Sequence, residues 1–94
     1  MSISVDDFVK LSNINVIDLR SIEKFNSNHI PGSINVSADK LLLRPYDYIN
    51  KGVRYYLYCQ RGLSSVNVCN ILSKLGFDVI NVSGGFEEWL LYNS

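Results

Sequence analysis

Basic charge is not in excess, cysteine and histidine are scarce, and no long apolar run is present. Lys and Arg number 9, Asp and Glu number 9, and the formal net charge is zero. General affinity for nucleic acid or for an anionic membrane surface needs a basic field, so neither is expected. Any anion binding must therefore be local. Two cysteines, Cys59 and Cys69, give no disulfide framework of the secreted kind. Together with the single histidine, His29, they lack any zinc-binding spacing, so no metal is expected. Apolar stretches such as Leu41-Leu42-Leu43 are far too short to span a bilayer. The start, Met1-Ser2-Ile3-Ser4-Val5-Asp6-Asp7, has neither the basic region nor the apolar run of a secretory signal. The cytoplasm is the expected address, with both thiols reduced when they are not reacting.

What remains is 94 residues with 47% hydrophobic content, enough for one small domain over residues 1–94 and its core. No repeat, low-complexity run or Pro/Gly-rich linker divides it. Short β-like and helical runs alternate along the chain. Ser4-Val5-Asp6-Asp7 has the Ser-x-x-acid form of a helix start, with Phe8 and Leu11 on its apolar side. Asn15 to Leu19 reads as a buried strand, Ser21 as the cap of a brief helix through Phe25, and Pro31-Gly32 as a turn. Ser33 to Val36 is the next strand and Ser37 to Leu43 a helix ended by Arg44-Pro45. Arg54-Tyr55-Tyr56-Leu57-Tyr58 is the strongest strand signal. From Ser65 to Leu75, Val68, Cys69, Ile71, Leu72 and Leu75 recur at helical intervals, and Gly76 is placed to end that helix. Asp78 to Val82 is a last strand; Gly84-Gly85 turns into a helix over Phe86 to Leu91. This alternation predicts an α/β fold in three layers, a mostly parallel sheet flanked by helices on both faces. Ligands in such sheets bind beyond the carboxyl ends of the strands.

Cys59 stands at such an end. The segment Cys59-Gln60-Arg61-Gly62-Leu63-Ser64-Ser65 runs from the Tyr-rich strand into a helix. A thiol there faces unpaired N–H groups and the positive end of the helix dipole. Gly62 lets the backbone curl into an anion nest, and Arg61 adds a positive charge. Both features favour thiolate, the nucleophilic form. Cys69, mid-helix on the apolar stripe, reads instead as core.

Five ordered blocks resemble the rhodanese superfamily across nearly the whole chain. Val16-Ile17-Asp18-Leu19-Arg20 is similar to its Asp-x-Arg signature, and Phe25 with His29-Ile30-Pro31-Gly32-Ser33-Ile34-Asn35 to its His-Ile-Pro-Gly stretch. Leu57-Tyr58-Cys59 occupies the place of the active-site cysteine. Gly76-Phe77-Asp78-Val79 and Gly84-Gly85-Phe86 to Trp89 resemble the C-terminal blocks. The resemblance implies about five strands. It also implies a sulfurtransferase with a six-residue loop, counted here from Cys59 through Ser64, with the helix starting near Ser65. Related phosphatases have a longer loop and would need Arg at the position of Ser65. Many single-domain members carry Arg five residues after the cysteine, where this chain has Ser64; its own Arg is Arg61.

The resulting expectation is transfer of sulfane sulfur through a Cys59 persulfide, without metal or organic cofactor. Gln60, Arg61, Gly62, Leu63, Ser64 and Ser65 are expected to bind the substrate. The donor is a small anion such as thiosulfate, or a partner protein's persulfide, and the acceptor is a thiol or cyanide-like nucleophile. The alternative is a non-catalytic interaction or regulatory module on the same fold. Asp18 and Arg20 are read as a structural ion pair, His29 as a turn residue bonded to backbone, and Trp89 as the aromatic anchor of the last helix.

Overall fold

The computed structural model describes residues 1–94. Five strands form one sheet in the order β1-β5-β4-β2-β3, and every pairing is parallel. The strands are β1 (Ser2–Ile3), β2 (Asn15–Asp18), β3 (Ser33–Asn35), β4 (Arg54–Tyr58) and β5 (Asp78–Val82). The helices are α1 (Val5–Phe8), α2 (Ile22–Ser27), α3 (Ala38–Leu43), α4 (Leu63–Lys74) and α5 (Gly85–Tyr92). A 3-10 turn over Pro45–Asp47 follows the break at Arg44-Pro45.

Three of these helices begin at the serines that mark them in the sequence. The side chains of Ser4, Ser21 and Ser37 each accept from the N–H three residues on, satisfying a donor that the helix itself leaves free. Side-chain alternation along the strands sorts the core onto two faces. Ile17, Tyr55, Leu57 and Val79 face α3 and α4, packing with Leu41, Val68, Cys69 and Leu72. Val16, Tyr56, Tyr58, Ile80 and Val82 face the other way, onto Val5, Phe8 and Phe86. Ile17, Leu41, Leu57 and Leu72 are fully buried, and truncating any such leucine to alanine costs about 2–5 kcal/mol.

Three sequence expectations need correction. β1 was absent from them, because a two-residue edge strand carries no periodic signal; it lies beside β5 with Ser2 opposite Asn81. Helix α4 starts at Leu63, two residues before the expected Ser65. Its cap is Gly62 in the left-handed region at φ 85° rather than a polar side chain, so neither capping chemistry nor apolar spacing announces it. Ile71 and Leu75, read as part of the apolar stripe of α4, are about half exposed, leaving Val68, Cys69 and Leu72 inward. Gly76 does end the helix, at φ 96°.

The strand order reverses between β2 and β4: the chain leaves β2 toward β3 on one side and leaves β4 toward β5 on the other. At the carboxyl ends of such neighbouring strands a crevice opens. Asp18 and Tyr58 are paired across it, and Cys59 follows directly.

Candidate active site

A buried polar knot supports the floor of this crevice. The Asp18 carboxylate receives the Arg20 guanidinium through Nη2 at 2.7 Å and Nε at 3.0 Å, and the Tyr58 hydroxyl donates to it at 2.7 Å. Ser33 and the Ile30 N–H complete the surroundings of the Tyr58 oxygen. Burial, together with the neighbouring Asp18 charge, pushes the Tyr58 phenol far above its ordinary range, so it stays protonated and donates. Asp18 and Arg20 are thus the structural pair expected of them. Leaving one buried partner alone costs about 3–5 kcal/mol. The Arg20 guanidinium lies 3.9 Å over the ring of Phe86, with Trp89 stacked beyond at 5.8 Å. The buried anchor of α5 is therefore Phe86, and the half-buried Trp89 packs behind it. His29 bonds through Nδ1 to the Phe25 carbonyl at 2.8 Å, as a turn residue.

Above this floor the loop closes around one sulfur. The Gly62 N–H donates to Cys59 Sγ at 3.2 Å and the Ser65 N–H at 3.3 Å. Ser65 is the third residue of α4, so its N–H is one of those the first turn leaves unbonded. Its hydroxyl sits 3.3 Å from Sγ, accepts the thiol hydrogen and donates to Asn81 Oδ1 on β5. Once sulfur ionises, that hydroxyl can turn its own hydrogen to Sγ, since hydroxyls rotate freely. Burial by itself raises the Cys59 thiol. Hydrogen bonds from the Ser64 and Ser65 hydroxyls and from the Ser65 and Gly62 N–H groups outweigh it and bring the pKa below that of an ordinary thiol.

Two glycine contacts make this closure possible. A Cβ on Gly62 would lie 2.8 Å from the Gly84 nitrogen, and one on Gly85 would collide with the Cys59 carbonyl oxygen. With that space kept open, the first turn of α5 reaches the loop. Phe86 N–H donates to the Cys59 carbonyl at 2.9 Å and Glu87 N–H to the Gln60 carbonyl at 3.0 Å.

The sequence-expected site residues do not all converge on sulfur. Cys59, Gln60, Arg61, Leu63 and Ser64 line an open pocket of about 490 Å³ together with Lys24 and Glu87. Gly62 and Ser65 hold Sγ from below rather than facing that pocket; Ser65 is fully buried. Arg61, expected as the positive charge beside the thiol, is mostly exposed and turned to Glu87 at 3.6 Å. Hydrogen bonds, not its charge, lower the thiol pKa. Gln60 accepts from Arg20 at 3.3 Å and donates to Glu87 at 3.2 Å, tying the loop to the floor. Leu63 is exposed beside the opening. Lys24, Asn81 and Glu87 escaped the sequence reading, because they join the site only through the packing of α2, β5 and α5. A larger cavity of about 560 Å³, lined by Phe8, Ile14, Ile30 and Trp89 among others, opens at the other ends of the strands.

A family model for the rhodanese-like domain matches residues 4–91. The chain belongs to the rhodanese-like domain family. Among curated proteins it is 30% identical over 93 residues to the thiosulfate sulfurtransferase GlpE of Shewanella oneidensis, covering 93% of this chain and 89% of that protein. It is 31% identical over 77 residues to the putative sulfur carrier protein YrkF of Bacillus subtilis. That match takes in 81% of this chain and only 41% of the relative's length. The crystal structure of a rhodanese-like domain protein from Staphylococcus aureus superposes with a TM-score of 0.85 at 27% identity. The superposition covers 94% of this chain and 89% of that one.

Proposed function

We propose that residues 1–94 act as one sulfurtransferase domain in which Cys59 carries the sulfur. The supporting observation is the convergence of N–H and hydroxyl groups on Sγ at the floor of an open pocket. Thiolate Cys59 attacks the sulfane sulfur of a donor such as thiosulfate. A new S–S bond forms to Sγ, the S–S bond of thiosulfate breaks, and sulfite leaves with the electron pair. The persulfide is itself an anion, so the donors that favour thiolate also suit the outer sulfur. A nucleophilic acceptor, a thiolate or cyanide, then takes that outer sulfur and returns Cys59 to thiolate. Every step is a two-electron displacement at sulfur.

A phosphatase reading lacks the residue it most needs. The related phosphatases hold the phosphate dianion bidentately with an Arg six positions after the cysteine; in this chain that position is Ser65, buried against Sγ. Intact mass measurement after exposure to thiosulfate tests the proposal. A gain of one sulfur is expected, absent in Cys59→Ser. Transfer activity surviving in Cys59→Ser would refute it. A wild-type chain that takes up no sulfur from any donor would instead favour the docking-module reading.

A further inference from the structure

The pocket over Cys59 holds three charged side chains, Lys24, Arg61 and Glu87. Two of them are committed to each other. Glu87 is held by Arg61 Nε at 3.6 Å and by Gln60 Nε2 at 3.2 Å. Lys24 enters none of the five ion pairs of the molecule. Its ammonium therefore has all three donors free, and it gives the pocket its one excess positive charge. The lysine also stands on a fixed element. Ser21 caps α2 by accepting from the Lys24 N–H at 3.3 Å. Arg20, the residue before that cap, donates to the Asn28 carbonyl just past the helix end at 2.6 Å and to Gln60 in the loop. Helix α2 is thus bound at both ends to the buried Asp18–Arg20 pair, which carries Lys24 to the pocket wall.

We infer that Lys24, rather than Arg61, is the specificity-determining cation that binds the anionic group of the substrate reaching Cys59. A sulfonate-like terminus such as that of thiosulfate, or the carboxylate of a small persulfide, presents the same chemistry: oxygen anions that accept from an ammonium. The inference rests on the sulfur-transfer reading only for the identity of that anion.

Its test does not depend on sulfur transfer. Cys59 is alkylated by iodoacetate, an anion, and by iodoacetamide, a neutral reagent of the same reactive group. In both, thiolate displaces iodide from carbon, so the ratio of the two rates cancels the thiolate fraction and reads the field in the pocket. Lys24→Gln should lower that ratio roughly three-fold at low salt, as expected for one unit charge near the reacting atom in a wet pocket. Lys24→Arg should keep it, and Glu23→Gln, a neighbouring charge outside the pocket lining, should leave it nearly unchanged. With thiosulfate, a dianion, Lys24→Gln should raise KM about ten-fold by the same reasoning. An unchanged ratio in Lys24→Gln overturns the inference, as does a rise of equal size in Glu23→Gln, which would make the effect a general field rather than one seated in the pocket. If the ratio falls while no donor yields a persulfide, Lys24 stands and the sulfur-transfer reading fails. If thiosulfate loads Cys59 with KM and ratio both unchanged in Lys24→Gln, sulfur transfer stands and the role of Lys24 fails.

Discussion

Cys59 and Cys69 are both buried, at 5% and 2% exposure, and burial raises the pKa of each. For Cys69 the offset is too small: burial pushes the thiol up to about 11, opposed only by the positive N-terminus and reinforced by the nearby Cys59. For Cys59 the outcome is reversed by hydrogen bonding from the Ser64 and Ser65 hydroxyls and the Ser65 and Gly62 N–H groups. The two residues lie on either side of the same helix start. In the middle of α4 each N–H is already bonded to the carbonyl one turn back, so none is left for a side chain. At its first turn the N–H groups are free, and Gly62 bends the chain so that they meet sulfur. Position relative to a helix end, not exposure, separates the thiol whose pKa is lowered from the one whose pKa is raised.

The largest effect should come from removing the bend. Gly62→Ala places a side chain at φ 85° and against the Gly84 backbone, costing about 1–3 kcal/mol of stability through strain. Displacing one N–H from Sγ should lower transfer about 100-fold, the usual scale for loss of one backbone-type anion donor. Stopped assays and a thermal melt on the same preparation separate the two effects. Cys59 would then behave more like Cys69, its pKa moving up.

Removing one hydroxyl should do less. In Ser65→Ala the N–H contacts remain, so a fall of about ten-fold in transfer near neutral pH is expected, with the pH profile shifted to higher pH. The sign follows from ionisation: the rate rises with pH as thiolate forms and levels off above the Cys59 pKa. A variant with a raised pKa recovers part of its loss in alkaline buffer. Loss of equal size at every pH would remove the hydroxyl from the control of ionisation.

The smallest effect belongs to the other cysteine. Cys69→Ala trims a buried side chain and should cost about 1–2 kcal/mol in a denaturation curve. Transfer should remain within about two-fold of wild type, since Cys69 donates nothing to Sγ. A large loss of activity in a folded Cys69→Ala chain would make the two thiols partners rather than contrasts.

Features set by local side-chain chemistry were readable in the sequence, and most of those set by tertiary packing were hidden. Capping serines and the aromatic run Arg54–Tyr58 marked helices and the central strand, because side-chain chemistry there acts within a few residues. Cys59 could be placed at a strand end, and its nest anticipated from Gly62. The direction of Arg61 could not, since it depends on Glu87 arriving from α5. Asn81 beneath Ser65 depends likewise on the register of β5 beside β4. The early start of α4 stayed hidden because glycine caps it by conformation alone. Contacts set by tertiary packing leave no periodic trace in the chain.

Site-resolved alkylation with iodoacetamide across a pH series tests the central contrast most directly. The expected result is that Cys59 reacts with a midpoint below that of an ordinary thiol, while Cys69 stays slow until the pH approaches about 11. Two cysteines titrating together at the ordinary thiol value, or Cys69 reacting first, would contradict it.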